Sequence, residues 1–293
     1  MDLIYSPSVL ILFCLLITVI PKTKSDSDDD LRYISNDCSD SITFPPNSTF
    51  NSTINTLLQD LSSNATANPT GFYTTSVHDN TVNNTLNGYF LCRGDLDNSA
   101  CYDCVSIAAQ EIVSVLQCPD SKLGTLYYNK CMIRYSNETL LGVLALEPYH
   151  NEQSYNVIPG SRRDFTKLLG ETFPVLATRA ANNVTGKKFA TISVPFTPST
   201  NLYALAQCTP DLTVANCHTC LTNAIDRLQT AAGWNFLMPS CNIRYEIYPF
   251  TYRPHHLPLS PPPSGSAYTG MSPAPSPLLP SPSTNGISNS TNS

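Results

Sequence analysis

The sequence predicts an α+β protein of two tandem, disulfide-stapled modules, each a small antiparallel sheet packed on about two helices, followed by a disordered Pro/Ser-rich tail. Three observations carry this expectation. A cysteine pattern is written twice at a fixed offset. The longest apolar run lies at the start of the chain and is too short to cross a bilayer. From about Pro254 the composition turns to proline and serine. The 293 residues leave room for two ordinary domains.

The elements follow in chain order. Val9 to Ile20 is a 12-residue apolar run, the length of a signal-peptide core, and Thr23 and Ser25 suit the two key positions before a cleavage site. Residues 1–25 are therefore read as a signal peptide, although its start carries Asp2 and no Lys or Arg. No second run of spanning length is present, so no membrane span is expected in the mature chain. Of 11 cysteines, Cys14 leaves with the leader. The ten that stay form an even set, as secreted disulfide frameworks require. Seven sequons (Asn47, Asn51, Asn64, Asn83, Asn137, Asn183 and Asn289) predict a glycosylated surface, with each asparagine in an exposed loop or at the end of an element.

The first module is read as residues 26–148 and the second as 160–252. Cys92-x8-Cys101-x2-Cys104 recurs as Cys208-x8-Cys217-x2-Cys220, every position shifted by 116. Cys131-Met-Ile-Arg-Tyr recurs as Cys241-Asn-Ile-Arg-Tyr at an offset of 110, so the second copy has lost six residues between them. Copy one alone carries Cys38 and Cys118, the latter within the shortened stretch. Pairing of these two would explain their joint absence from copy two, since losing one would strand a thiol. The remaining four cysteines of each copy allow three pairings, of which the tight ring Cys101–Cys104 is the strained one.

Within the modules, Phe50–Leu61 and Asp164–Ala181 read as amphipathic helices, the latter interrupted or bent at Pro174. Cys104–Leu116 and Cys220–Leu228 read as second helices. Leu123–Tyr135 and Asn235–Tyr245 have the β-branched and aromatic character of strands. Residues 253–293 form the tail, too rich in Pro and Ser to bury a core. The net charge of −6, with Asp26, Asp28, Asp29 and Asp30 crowded in one stretch and no basic stripe, excludes nucleic acid as a partner.

Tandem C-x8-C-x2-C motifs, each followed by a C-x-I-R-Y strand behind a leader, resemble the plant cysteine-rich repeat secretory proteins. Their module is the ginkbilobin-like, or salt-stress/antifungal, domain, also found in pairs in the ectodomains of cysteine-rich receptor-like kinases and plasmodesmata-located proteins. The resemblance covers about residues 31–252. It implies a five-stranded sheet with two helices, and the pairs Cys38–Cys118, Cys92–Cys101, Cys104–Cys131, Cys208–Cys217 and Cys220–Cys241. It further implies a secreted, non-enzymatic binding or interaction protein of the plant apoplast, in stress or antimicrobial defence. The alternatives are a truncated or kinase-less receptor ectodomain and a glycan-binding antifungal lectin. The implied partner is an apoplastic or cell-surface protein, or a cell-wall glycan.

The founding antifungal member holds mannose with an Asn after its first Cys, an Arg six residues before its last Cys and a Glu five after it. Those places hold Ser39, Thr125 and Ser136 in copy one; in copy two the last two hold Asn235 and Glu246. Only Glu246 matches, so the set does not transfer. Trp234, the only tryptophan, is read either as an exposed sugar-stacking aromatic or as a loop anchor. Cys217-His218-Thr219-Cys220 has the look of a zinc or redox motif, but copy one has Tyr102 in place of His218, and structural bridging is the expectation. Arg93-Gly94-Asp95 spells an integrin-type tripeptide in a short loop, read as chance because copy two has Thr209-Pro210-Asp211 there. Arg134 and Arg244 of the shared I-R-Y are expected to be structural. No nucleophile elbow, zinc-protease motif or phosphate loop occurs, so no catalytic residue, cofactor or metal is expected.

Overall fold

A computed structural model describes residues 31–38, 49–79, 84–114, 118 and 121–251. The leader, the tail, Ser39 and the sequons at Asn47, Asn83 and Asn289 lie outside the described residues. Copy one runs β1 (Tyr33–Cys38), α1 (Phe50–Ser63), β2 (Phe72–Asp79), β3 (Asn84–Cys92), α2 (Asn98–Glu111), β4 (Leu123–Tyr128) and β5 (Cys131–Ser136). Copy two repeats the order as β6 (His150–Gln153), α3 (Arg162–Ala181), β7 (Phe189–Thr197), β8 (Thr200–Cys208), α4 (Val214–Asp226), β9 (Gly233–Leu237) and β10 (Cys241–Glu246). The sheets are ordered β1-β4-β5-β3-β2 and β6-β9-β10-β8-β7, so the duplication extends to topology. Every adjacent pair is antiparallel.

The cysteine spacing has a geometric cause. Cys92 and Cys131 sit directly opposite each other on β3 and β5, as do Cys208 and Cys241 on β8 and β10. Cys101 and Cys104 are three apart on α2 and so share one face of it. That face reaches both strands at once through Cys92–Cys101 and Cys104–Cys131, and α4 does the same through Cys208–Cys217 and Cys220–Cys241. Cys38–Cys118 adds a fifth bridge, from the end of β1 to the segment after α2. These are the pairs that the resemblance implied.

The shared I-R-Y reads out as a strand with two buried faces. Cys131, Ile133 and Tyr135 point into the helix-side core of copy one, and Cys241, Ile243 and Tyr245 do so in copy two. Gly124 permits this in copy one: a Cβ there would lie 2.5 Å from the Tyr135 ring. The helices supply the other half of each core through Phe50, Ile54, Leu58 and Leu61, with Ala65 in the turn just past α1, and through Phe165, Leu169, Phe173, Leu176 and Ala180. The two sets have identical spacing. Each large side chain so buried contributes on the order of 1.5–3 kcal/mol.

Four features differ from the sequence reading. The second helices start six residues early, at Asn98 and Val214, because Asp97 and Thr213 cap them by accepting hydrogen bonds from the amides of Ala100 and Asn216. Helix α3 is not interrupted at Pro174 and stays helical over 20 residues. The second sheet begins at His150, ahead of residue 160, since β6 pairs with β9. The stretch before β6 also packs on copy two, where Ala145 and Ser240 exchange hydrogen bonds of 2.8 and 3.2 Å. Leu123–Tyr135 and Asn235–Tyr245 are each two strands of a hairpin rather than one.

Candidate functional site at the seam between the modules

Alternation along the strands leaves the helix-free face of each sheet to be explained. In copy one that face carries Tyr89, Leu91, Tyr127 and Met132, all buried, and they cluster with Leu237 of copy two. The two sheets therefore face one another, with the helices outside.

Polar groups fix the register of this packing. Gln207 on β8 donates to the Cys92 carbonyl at 2.9 Å, and Tyr89 donates to the Pro239 carbonyl at 3.0 Å. Lys187 donates to the Gly94 carbonyl at 2.9 Å. Gly94 is required there, because a Cβ would stand 2.3 Å from the Phe189 ring. At the outer edge Arg32 on one side of the seam grips Glu152 on the other with two hydrogen bonds of 2.8 and 3.0 Å. His150 on β6 meets Ser35 on β1 at 2.8 Å and lies edge-on to Tyr127, ring centres 5.5 Å apart. Burial lowers the His150 pKa, a nearby Asp37 opposing it, and burial drives the Tyr127 hydroxyl well above its ordinary value.

Two arginines close the seam on Phe250. Arg93 donates to the Phe250 carbonyl at 3.2 Å and pairs with Asp95 at 2.7 Å. Arg244 pairs with Glu246 at 3.0 Å and stacks over the Phe250 ring, 4.3 Å from its centre. All four charged groups are mostly buried, and a buried pair of this kind is costly to break by removing one partner. The free space between the sheets is about 40 Å³, room for a few water molecules. Ligand pockets run to roughly 300–1,000 Å³. The seam holds two modules together; it does not open onto a small ligand.

The candidate residues now fall into place. Trp234 is not on the surface: it is 1% exposed in the core of copy two, stacked on Phe236 with ring centres 5.0 Å apart. Strand β9 turns its indole inward, so it cannot meet a sugar. Glu246 is 7% exposed and held by Arg244. Thr125, Ser136 and Asn235, at the family's mannose positions, are buried as well. The Arg93-Gly94-Asp95 loop is not displayed; its Arg and Asp bind each other, and its Gly packs against copy two. His218 is exposed on α4 beside Thr222, and both flanking cysteines are in disulfides. Among the described residues no group of three His, Cys, Asp or Glu could hold a metal ion, and no helix is long and apolar enough to cross a membrane. The described sequons all lie at element ends: Asn51 in the first turn of α1, Asn64 capping its end, Asn137 just past β5 and Asn183 just past α3. Sequence reasoning missed Gln207, Phe250, His150 and Tyr127. The one signal for them was strands whose outward positions are as apolar or aromatic as their inward ones.

Known proteins share this arrangement. Cysteine-rich receptor-like protein kinase 25 of Arabidopsis thaliana is 33% identical over 263 residues, 87% of this chain and 38% of the kinase. Kinase 8 of the same plant is 32% identical over 285 residues, 96% of this chain and 40% of the kinase. The chain thus spans about two fifths of the length of these kinases. Two crystal structures of tandem DUF26 ectodomains of Arabidopsis thaliana cysteine-rich receptor-like proteins superpose on it. That of PDLP8 gives a TM-score of 0.62 at 22% identity, covering 73% of this chain and 96% of that one. That of PDLP5 gives 0.59 at 27%, covering 74% and 99%. The salt stress response/antifungal domain is matched at residues 37–138 and again at 150–248, one match for each sheet with its helices. With both modules, their disulfide frame and their topology accounted for, the chain belongs to the salt stress response/antifungal family in its tandem form.

Proposed function

We propose that this chain is a secreted, non-enzymatic recognition protein of the plant apoplast, acting in stress or antimicrobial defence through the outer surface of one fused, disulfide-held double module. The observation that carries the reading is the closed seam. Sheet-to-sheet packing uses up the places where the family's sugar-binding residues would stand and joins two modules into one compact unit. A disulfide-held unit with exposed helices and loops suits protein recognition, because little ordering entropy is lost on binding. The disulfide density and the sequons at element ends support an extracellular site of action.

The test is binding to living cells. Fluorescently labelled, glycosylated protein is applied to leaf cells before and after protease treatment of their surface, and to isolated wall polymers. Saturable binding that protease abolishes is the expected result. Binding that survives protease and follows a wall polymer would overturn the reading in favour of a lectin.

A second reading has its own support: the relatives are receptor kinases of which this chain matches two fifths. On that reading the chain is the ectodomain part of a receptor. Transcripts that continue past Ser293 into a membrane span and a kinase would establish it.

A further inference from the structure

Copy one has an open groove on its helix layer. It lies between α1 and α2, encloses about 380 Å³, and is walled by Asn55, Gln59 and Ser62 on α1 and by Ser106 and Gln110 on α2. Leu58, Ala109 and Val113 form its floor. The lining carries amides, hydroxyls and aliphatic carbon and no charged side chain. Such a surface suits a neutral polyhydroxylated ligand, whose hydroxyls need donors and acceptors together and whose ring carbons need an apolar floor.

Helix geometry supplies the occupant. At about 100° per residue, Asn51, Asn55, Leu58 and Ser62 fall within a stripe of about 60° on one side of α1. Asn51 is exposed and begins the sequon Asn51-Ser52-Thr53. Asn55 and Ser62 lie about 6 Å and about 16 Å further along the axis. Asn64, the other sequon of α1, points roughly 220° away from Asn51, and its side-chain amide donates to Asp60. In copy two the positions matching Leu58 and Ser62 hold Phe173 and Ala177, 0% and 1% exposed, so the second of them offers no hydroxyl. Helix α3 contains no sequon. The sequon at Asn51 therefore stands on the groove's line in copy one, and α3 has no counterpart to it.

We propose that the N-linked glycan of Asn51 lies in the α1–α2 groove and covers it. This rests on the secreted reading above. The side-chain Nδ2 of Asn51 forms the bond to the anomeric carbon of a lipid-diphosphate-linked oligosaccharide supplied in the secretory pathway; the lipid diphosphate leaves, and the amide loses one proton. The core sugars then run along α1 from Asn51 toward Ser62. It follows that partner recognition falls elsewhere than this groove, and that protein made in bacteria exposes a surface the native protein does not.

Protein secreted from plant cells is compared as wild type, Asn51→Gln and Asn64→Gln by hydroxyl-radical footprinting with glycopeptide mass mapping. Labelling of Val113 rises severalfold in Asn51→Gln and is unchanged in Asn64→Gln, with the exposed Val214 on α4 as the constant reference. Equal labelling of Val113 in all three proteins would overturn the proposal. So would a secreted, bridged chain with bare Asn51, which leaves the functional reading intact. A chain that is retained and bare at every sequon defeats the functional reading itself.

Discussion

Removing the Cys38–Cys118 bridge by the double substitution Cys38→Ser/Cys118→Ser tests whether the two modules unfold as one. The bridge closes a loop of 80 residues, the longest of the five. The chain-entropy relation gives about 4.5 kcal/mol for that loop, against about 3.3 kcal/mol for the 21-residue separation of Cys220–Cys241. With a urea dependence of roughly 2–3 kcal/mol per molar for a chain this size, the midpoint falls by about 1.5–2 M. The assay uses a natural reporter. The only tryptophan, Trp234, is buried in copy two, while the bridge lies in copy one. Circular dichroism follows both copies and Trp234 fluorescence follows the second. If Tyr89, Gln207 and Phe250 couple the sheets as described, both signals shift together in one transition. A Trp234 midpoint that stays at the wild-type value, while circular dichroism splits into two steps, would refute the coupling. A common loss below about 1 kcal/mol would refute the magnitude.

Further outcomes follow from single positions. Gly94→Ala places a methyl 2.3 Å from the Phe189 ring and should destabilise the chain by about 1–3 kcal/mol in urea melts, whereas Gly170→Ala, in open space on α3, should stabilise it by roughly 0.5–1 kcal/mol. Glu246→Ala strands the Arg244 guanidinium in the seam and should cost on the order of 3–5 kcal/mol, with surface ion pairs such as Lys167–Glu171 serving as a control at well under 1 kcal/mol. His150 has a lowered pKa in the folded protein, so the unfolded chain binds the extra proton more readily. Its contribution is fully present above about pH 6.5 and is lost as pH falls from there toward the folded value. Stability measured from pH 7 to pH 5 should decline by a component that His150→Gln removes, with Asp37, which opposes the shift, unchanged in the variant.

The cysteine pattern was legible because it is written in local spacing, but spacing left three pairings open for the four shared cysteines of each copy. The pairing came with the resemblance, and its geometric reason, strand cysteines opposite each other beneath two helix cysteines three apart, needs the register of β3 on β5 and of β8 on β10. The duplication was legible from the local spacing. Less legible was the outer strand Phe72–Asp79, an edge strand whose Phe-Tyr-Thr-Thr start breaks the alternation, whereas Phe189–Thr197 does alternate, with Ala190, Ile192 and Phe196 packed on the core, and is a signal that sequence reasoning missed. The strand His150–Gln153 has no apolar signature at all and is defined only by its pairing with β9. The seam was the hardest to read. It unites residues more than a hundred positions apart, such as Cys92 with Gln207 and Arg93 with Phe250, and nothing local marks Trp234 as inward and Arg244 as pinned between modules. Burial on both faces of β5 and β10 becomes visible only when the partner sheet is in place.

The central claim is that five covalent bridges staple two homologous modules of a secreted chain, three within the first and two within the second, and peptide mass mapping of the full chain secreted from plant cells tests it most directly. The account predicts material in the apoplastic fluid that starts after Ser25, carries sugar at several sequons, and yields Cys38–Cys118, Cys92–Cys101, Cys104–Cys131, Cys208–Cys217 and Cys220–Cys241 as its linked peptides without reduction. Intracellular, sugar-free protein that takes up a thiol reagent at these ten cysteines would contradict it.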